Sequence, residues 1–332
     1  MAFPQTRLHR LRAHPQLRRL VQETTLSVDN LIYPLFITHG ADIKNPISSM
    51  PGLYQWSVDR LHEELNDIKT LKIPAVLLFG IPPHKDASGS YAYDDNGVVQ
   101  QALRLIKQTC PELLVIIDIC CCEYTDHGHC GIMEHRGAQM QLNHDATLEL
   151  LQKQALSFAR AGADVLAPSG MIDGMVGAMR QALDENGFSH TPLMSYAVKY
   201  ASSFYGPFRE AAQGAPQYGD RKSYQMNPAN SREALREASE DIAEGADFIM
   251  VKPGLPYLDV IYRLRQEYPE MPMAAYQVSG EYAMIKAAAE RGWINESLVM
   301  YESMLALRRA GADCIISYFA KDLARYLLSQ TQ

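Results

Sequence analysis

Four of the six cysteines fall within eleven residues: Cys120, Cys121 and Cys122 in a row, then Cys130. They follow the apolar run Leu113 to Ile119, which reads as a buried strand. Alternate side chains of an extended segment share a face. The spacing therefore predicts that Cys120 and Cys122 point together and Cys121 points away, while a turn through Asp126, Gly128 and Gly131 returns Cys130 to the same side. Three converging thiolates form a soft-metal site with a fourth position open. Closed structural zinc sites normally use four protein ligands, so three lean towards catalysis, with His127 or His129 able to fill the gap.

Two lysines stand where buried strands finish: Lys199 after Met194 to Val198, and Lys252 after Phe248 to Val251. An amine beside an apolar wall or another ammonium loses its proton more easily and can then attack a carbonyl to form a Schiff base. Either lysine alone reads as a strand-end side chain reaching into solvent. Their equivalent positions on neighbouring strands point instead to shared work. Between them runs a long aperiodic stretch, Tyr200 to Asn230, carrying Phe204, Tyr205, Phe208, Tyr218 and Tyr224 among several glycines and prolines. It reads equally as a lid that excludes water or as a surface excursion. Its Arg209, Arg221 and Lys222 suit carboxylate groups. Asp118, Ser169, Gln277, Ser279 and Tyr318 add polar groups at other strand ends, where ordinary turn chemistry is the alternative.

These residues need a frame that gathers strand ends. Apolar runs occur at residues 31–37, 75–79, 113–119, 164–167, 192–196, 248–251, 273–276 and 314–318, and helix-period segments lie between most of them. Ala161-Gly-Ala-Asp164, Glu244-Gly-Ala-Asp247 and Ala310-Gly-Ala-Asp313 each end a helix with glycine and launch a strand. The alternation predicts a (β/α)8 TIM barrel, whose reactive groups gather at the carboxyl ends of the strands. No two glycines lie two residues apart and no Gly-Lys pair occurs, which excludes the dinucleotide fingerprint and the phosphate loop. We expect an arm over residues 1–30, rich in arginine, for subunit contacts, and a catalytic barrel over 31–332. A net charge of -7 argues against nucleic acid as a partner, and no apolar stretch is long enough to cross a bilayer. Clustered free cysteines suggest a reducing compartment, the cytoplasm.

Several segments closely match one family. Ser195-Tyr-Ala-Val-Lys199, Ala201-Ser-Ser-Phe-Tyr-Gly-Pro-Phe-Arg209, Gly219-Asp-Arg-Lys-Ser-Tyr-Gln-Met-Asn-Pro228, Met250-Val-Lys-Pro253 and Tyr276-Gln-Val-Ser-Gly-Glu-Tyr282 resemble the porphobilinogen synthase (5-aminolevulinate dehydratase) family of tetrapyrrole biosynthesis, and the likeness spans nearly the whole chain. It implies condensation of two 5-aminolevulinate molecules to porphobilinogen, with Lys252 holding the A-side substrate and Lys199 the P-side substrate. Ser279 and Tyr318 would bind the P-side carboxylate, and Arg209, Arg221 and Gln225 the A-side one. Asp118, Ser169, Phe204 and Tyr205 would line the pocket. Cys120, Cys122 and Cys130 match the ligands of the zinc-dependent members. The resemblance also implies a homo-octamer and an allosteric magnesium at Glu237, whose polar helix face otherwise reads as solvated. Cys121 departs from the bulky apolar residue expected there. Two rival readings remain: a single-lysine aldolase, which needs no thiolate metal, and a zinc-stabilised assembly protein, which needs four-ligand closure.

Overall fold

The computed structural model describes residues 2–137 and 139–330. Continuous apolar runs fold as strands buried on both faces, since helices cover one face and the barrel core fills the other. The strands are β1 (Leu31–Thr38), β2 (Ala75–Ile81), β3 (Leu114–Ile119), β4 (Val165–Pro168), β5 (Met194–Lys199), β6 (Phe248–Lys252), β7 (Met273–Gln277) and β8 (Cys314–Ser317). They pair in parallel in the order β4-β3-β2-β1-β8-β7-β6-β5. A bridge from Leu166 to Leu193 joins the two ends, so the barrel is nearly closed.

The surrounding helices are α1 (Leu61–Thr70), α2 (Val98–Thr109), α3 (His144–Ala161), α4 (Met175–Glu185), α5 (Glu233–Ala243), α6 (Leu258–Glu267), α7 (Ser279–Glu290), α8 (Glu296–Ala310) and α9 (Ala320–Gln330). The repeated Gly-Ala-Asp has a structural purpose. Each glycine adopts positive φ (Gly162 103°, Gly245 103°, Gly311 130°), and each aspartate accepts the first free N–H of the neighbouring strand. Asp164 takes Val115 N–H at 2.7 Å, Asp247 takes Leu193 N–H at 2.8 Å and Asp313 takes Met273 N–H at 2.9 Å. The repeat thus fastens the amino-terminal rim, the stability face of such a barrel, and leaves the opposite rim for chemistry. Described residues before Leu31 lie outside the barrel, and none of them is buried.

Candidate active site

Lys199 and Lys252 end adjacent strands and pair directly in the sheet register. Both are 5% exposed. Their amines stand over one ring, Tyr196, at 5.6 Å for Lys199 and 5.0 Å for Lys252. Lys252 also lies over Tyr276 at 4.2 Å, Phe208 at 5.2 Å and Tyr205 at 5.5 Å. Burial among these rings, and then the charge of Lys199, lower the Lys252 pKa to about 7, against the opposing pull of Asp118. Lys199 Nζ donates to the Ser169 carbonyl at 2.5 Å. The Lys252 backbone is fixed as well: its carbonyl accepts from Tyr200 N–H at 3.0 Å and from the Tyr205 hydroxyl at 3.2 Å.

Only the free amine of a lysine can attack a carbonyl, and its fraction climbs as pH passes upward through the pKa. Imine formation at Lys252 should therefore rise between about pH 6 and 8, with a midpoint near 7 instead of the ordinary lysine value near 10.4. Rapid-quench hydride trapping across that range measures it, and a midpoint above about pH 9 would contradict this environment.

Asp118 faces the amines from the end of β3. One carboxylate oxygen accepts from Ser169 Oγ at 3.0 Å, and the other is buried without a partner in the chain. Burial first, then the Glu123 charge, raise its pKa to about 7, while Lys252 and Lys199 oppose the rise. A narrow cavity is lined by Asp118, Ser169, Lys199, Lys252, Tyr205, Arg209, Arg221 and Cys122, together with Phe79, Glu123 and Phe208. Residues from five separate parts of the chain thus open into one space.

The thiols of Cys120, Cys122 and Cys130 lie within 4.8 Å of one another and all are buried. Convergence arises differently from strand alternation. β3 ends at Ile119, and the chain then turns through residues 121–124, with Cys120 and Cys122 sulfurs 3.3 Å apart. Hydrogen bonds from Cys120 and Cys122 hold Cys130 well below the usual thiol range, whereas hydrogen bonding to Cys122 and Cys130 pushes Cys120 up. A cation would remove that conflict by letting all three ionise. Buried, closely set sulfurs suit a soft or borderline divalent ion, and this donor set fits zinc.

Cys121 points elsewhere: it is fully buried, accepts from Gln154 Nε2 at 3.3 Å, and burial raises its pKa. Cys121→Ala should keep the full metal stoichiometry and lower stability by about 1 kcal/mol, the usual cost of a small buried deletion. Metal analysis and thermal unfolding check this, and lost metal would contradict it. His127 and His129 are not part of the thiol group. His127 Nε2 lies 3.2 Å from the Ala87 carbonyl, and the ring nitrogens of His129 face Tyr218 and Tyr224 of the segment after β5.

The segment after β5, residues 200–230, folds partly as the short helix Gly206–Ala211. Arg221 is 6% exposed and donates to the carbonyls of Gly128 at 2.8 Å and Gly214 at 2.6 Å. Its Nε, Arg209 Nε and Gln225 Nε2 are buried donors that meet no acceptor in the chain. Burial and the Arg221 charge lower the Arg209 pKa. Two guanidiniums facing one space suit a carboxylate.

Ser279, Tyr318, Phe204 and Gln225 do not line the cavity wall, though they adjoin it. Ser279 Oγ accepts from Phe208 N–H at 2.9 Å, and the Tyr318 hydroxyl lies 3.0 Å from that of Tyr276. Lys252 stands over Tyr276, so it belongs with the Ser279 and Tyr318 side, whereas Lys199 adds positive charge beside Cys130. These neighbours favour pairing the lysines with the carboxylates the other way round from the allocation implied by the resemblance. Glu237 lies apart, half-buried on α5 in an acidic cleft with Asp173, Glu233 and Glu240 that shares no residue with the cavity.

Sequence reasoning missed Tyr196 and Glu123. The register between β5 and β6 shifts, matching Ser195 and Val198 to Ile249 and Val251, and the extra residue lets the Tyr196 ring lie beneath the Lys199 amine although the two residues are three apart. Glu123 is 2% exposed and accepts from Cys122 Sγ at 3.3 Å. Its place directly after the cysteines was the available signal.

Comparison with known proteins points to one family. The family model for delta-aminolevulinic acid dehydratase matches residues 5–326. The enzyme of that name from Synechococcus elongatus is 53% identical over 325 residues, covering 98% of this chain and 99% of the relative. The Bacillus subtilis one is 50% identical over 321 residues, covering 97% and 98%. The solved structure of delta-aminolevulinic acid dehydratase from Toxoplasma gondii, in complex with the reaction product porphobilinogen, superposes with a TM-score of 0.94 at 42% identity and covers 98% of this chain and 92% of that one. With two amines, a thiol triad and an arginine pair around one cavity, and with this likeness over nearly its whole length, the chain belongs to the delta-aminolevulinic acid dehydratase family.

Proposed function

We propose that this cavity condenses two molecules of 5-aminolevulinate to porphobilinogen with loss of two waters, through imines at Lys199 and Lys252. The observation that carries the reading is the pairing of both buried amines in register over Tyr196, with unpartnered arginine donors facing the same space. Each substrate offers a ketone to an amine and a carboxylate to a cation or hydroxyl. Lys252, close to its free-amine form at neutral pH, attacks one ketone and expels water; the resulting iminium withdraws electrons from the adjacent carbon. Lys199 forms the second imine with loss of the second water. Loss of a proton beside one iminium gives an enamine that attacks the other iminium carbon, a substrate amino group closes the ring, and both lysines leave as amines. Asp118, held by Ser169 and flanked by both lysines, is the group placed to hold or return a proton.

In our allocation Lys252 takes the substrate whose carboxylate reaches Ser279 and Tyr318. Lys199 takes the one whose carboxylate meets Arg209 and Arg221, with Gln225 beside them. Phe204 and Tyr205 belong to the closing segment, and Tyr205 fixes the Lys252 carbonyl. Cys120, Cys122 and Cys130 would hold zinc, which supplies Lewis acidity on the Lys199 side when bound. A magnesium at Glu237, an octamer embraced by the residue 1–30 arm and a cytoplasmic location complete the reading. Among the described residues no helix is long and apolar enough to cross a membrane. Colorimetric assay of porphobilinogen from 5-aminolevulinate, with and without added zinc, tests it: we expect zinc-dependent product. No product under either condition would overturn it.

A further inference from the structure

His129 has no part in the thiol group, yet it is 2% exposed and both ring nitrogens are engaged. Nε2 lies 3.0 Å from the Tyr218 carbonyl and Nδ1 lies 3.1 Å from the Tyr224 hydroxyl. A carbonyl can only accept, so Nε2 carries the proton and the neutral ring's Nδ1 accepts from Tyr224. Both partners belong to the lid. His129 itself immediately precedes the ligand Cys130 and is tied to the same turn by Thr125 Oγ1, which donates to its carbonyl at 2.9 Å.

Other bonds cross the same junction. Gln217 N–H donates to the His127 carbonyl at 3.0 Å, and Arg221 donates to the Gly128 carbonyl at 2.8 Å. Packing there leaves no slack: a Cβ on Gly128, whose φ is +71°, would stand 2.2 Å from the Ala215 carbonyl oxygen. The thiol turn and the lid are therefore docked backbone to backbone, with one imidazole reaching across to two lid residues.

We propose that His129 is a positioning residue that couples occupancy of the thiol site to closure of the lid. The inference rests on the reading of the thiol triad as a zinc site. An ion bound by Cys120, Cys122 and Cys130 fixes the backbone of residues 127–130, and with it the His129 ring and the Gly128 carbonyl that receive the lid. The docked lid in turn presents Arg209 and Arg221 to a carboxylate. Linkage makes the effect reciprocal: a ligand that closes the lid tightens zinc by the same factor as zinc tightens that ligand.

The test uses the full chain and the 4-oxo acid 4-oxopentanoate, which carries the ketone and carboxylate but no amine. Zinc affinity is measured by competition with a chromophoric chelator, with and without the acid, and hydrogen exchange is followed over residues 213–224. In the wild type we expect the acid to tighten zinc by about tenfold, within the range of coupling between sites, and zinc to slow exchange in the lid. His129→Phe keeps a ring but loses both bonds. It should retain zinc affinity without the acid, while the acid's effect falls below about twofold and the lid no longer responds to zinc. Tyr224→Phe, which removes one bond from the lid side, should show an intermediate factor and guards against a folding defect in the first variant. Full coupling in both variants, or no effect of the acid on zinc in the wild type, overturns the proposal. Lost zinc stoichiometry in His129→Phe also overturns it, by making the imidazole a ligand. In any of these cases zinc-dependent porphobilinogen formation would leave the reading of the cavity standing, whereas a wild type that binds no zinc removes both.

Discussion

Replacing Lys252 by methionine is expected to lower kcat/KM for porphobilinogen formation by about 10⁴-fold or more, the scale seen when an enzyme loses its covalent nucleophile. Methionine matches the length of the lysine stem and suits a wall made of Tyr196, Tyr205, Phe208 and Tyr276. The substitution removes a buried amine whose charged form is disfavoured there, so the folded state should be as stable as the wild type or more so. Activity and stability should thus move independently. A variant within about tenfold of wild-type turnover would mean that the imine at this position is dispensable. Lys199→Met should be similarly inactive yet still form the Lys252 imine, because Lys199 reaches the Ser169 carbonyl and the thiol side instead of the Tyr276 wall.

Removing the metal gives the second large effect. A strong chelator, or Cys130→Ser, is expected to lower turnover by about 10²-fold or more while the far-ultraviolet circular dichroism stays unchanged. The reason lies in where the sulfurs sit. They sit past the end of β3, outside the paired strands, so losing the ion leaves the parallel strand ladder and its covering helices intact. Added zinc should restore the chelated wild type. Unfolding on chelation would instead favour the zinc-stabilised assembly protein, and full activity without metal would remove the thiol triad from the chemistry. A single-lysine aldolase would be insensitive to the chelator.

The barrel was legible because its strands are buried on both faces and so appear as unbroken apolar runs, each followed by a helical period. Boundaries shifted where polar residues continue a strand: β6 runs through Lys252 and β7 through Gln277. The strand read over residues 192–196 lies over Met194–Lys199, since its pairing with β6 outweighs its local apolar pattern. The helix α4 is inconspicuous in the sequence because its apolar stripe, Met175, Val176, Met179 and Leu183, is short and follows two closely spaced glycines, Gly170 and Gly174. The short hairpin of Met133–Arg136 with Gln139–Leu142 has no long apolar run to announce it.

The reactive groups were legible for a different reason: lysine at a buried strand end and adjacent cysteines are chemically conspicuous. Their partners were not. Tyr196 lies beneath both amines only because the β5 register slips, and Glu123 reaches the cavity only because the chain turns after Ile119. The partners of His129 and Arg221 lie far along the chain, so no local pattern could pair His129 with Tyr218 or Arg221 with Gly128. Local rules fixed what each residue can do, and tertiary contact fixed with whom.

The most direct measurement is borohydride reduction of the active enzyme in the presence of 5-aminolevulinate, followed by peptide mass mapping. The account predicts hydride-stable adducts on the peptides bearing Lys252 and Lys199 and on no other lysine. Adducts elsewhere, or none on either residue while turnover proceeds, would contradict it.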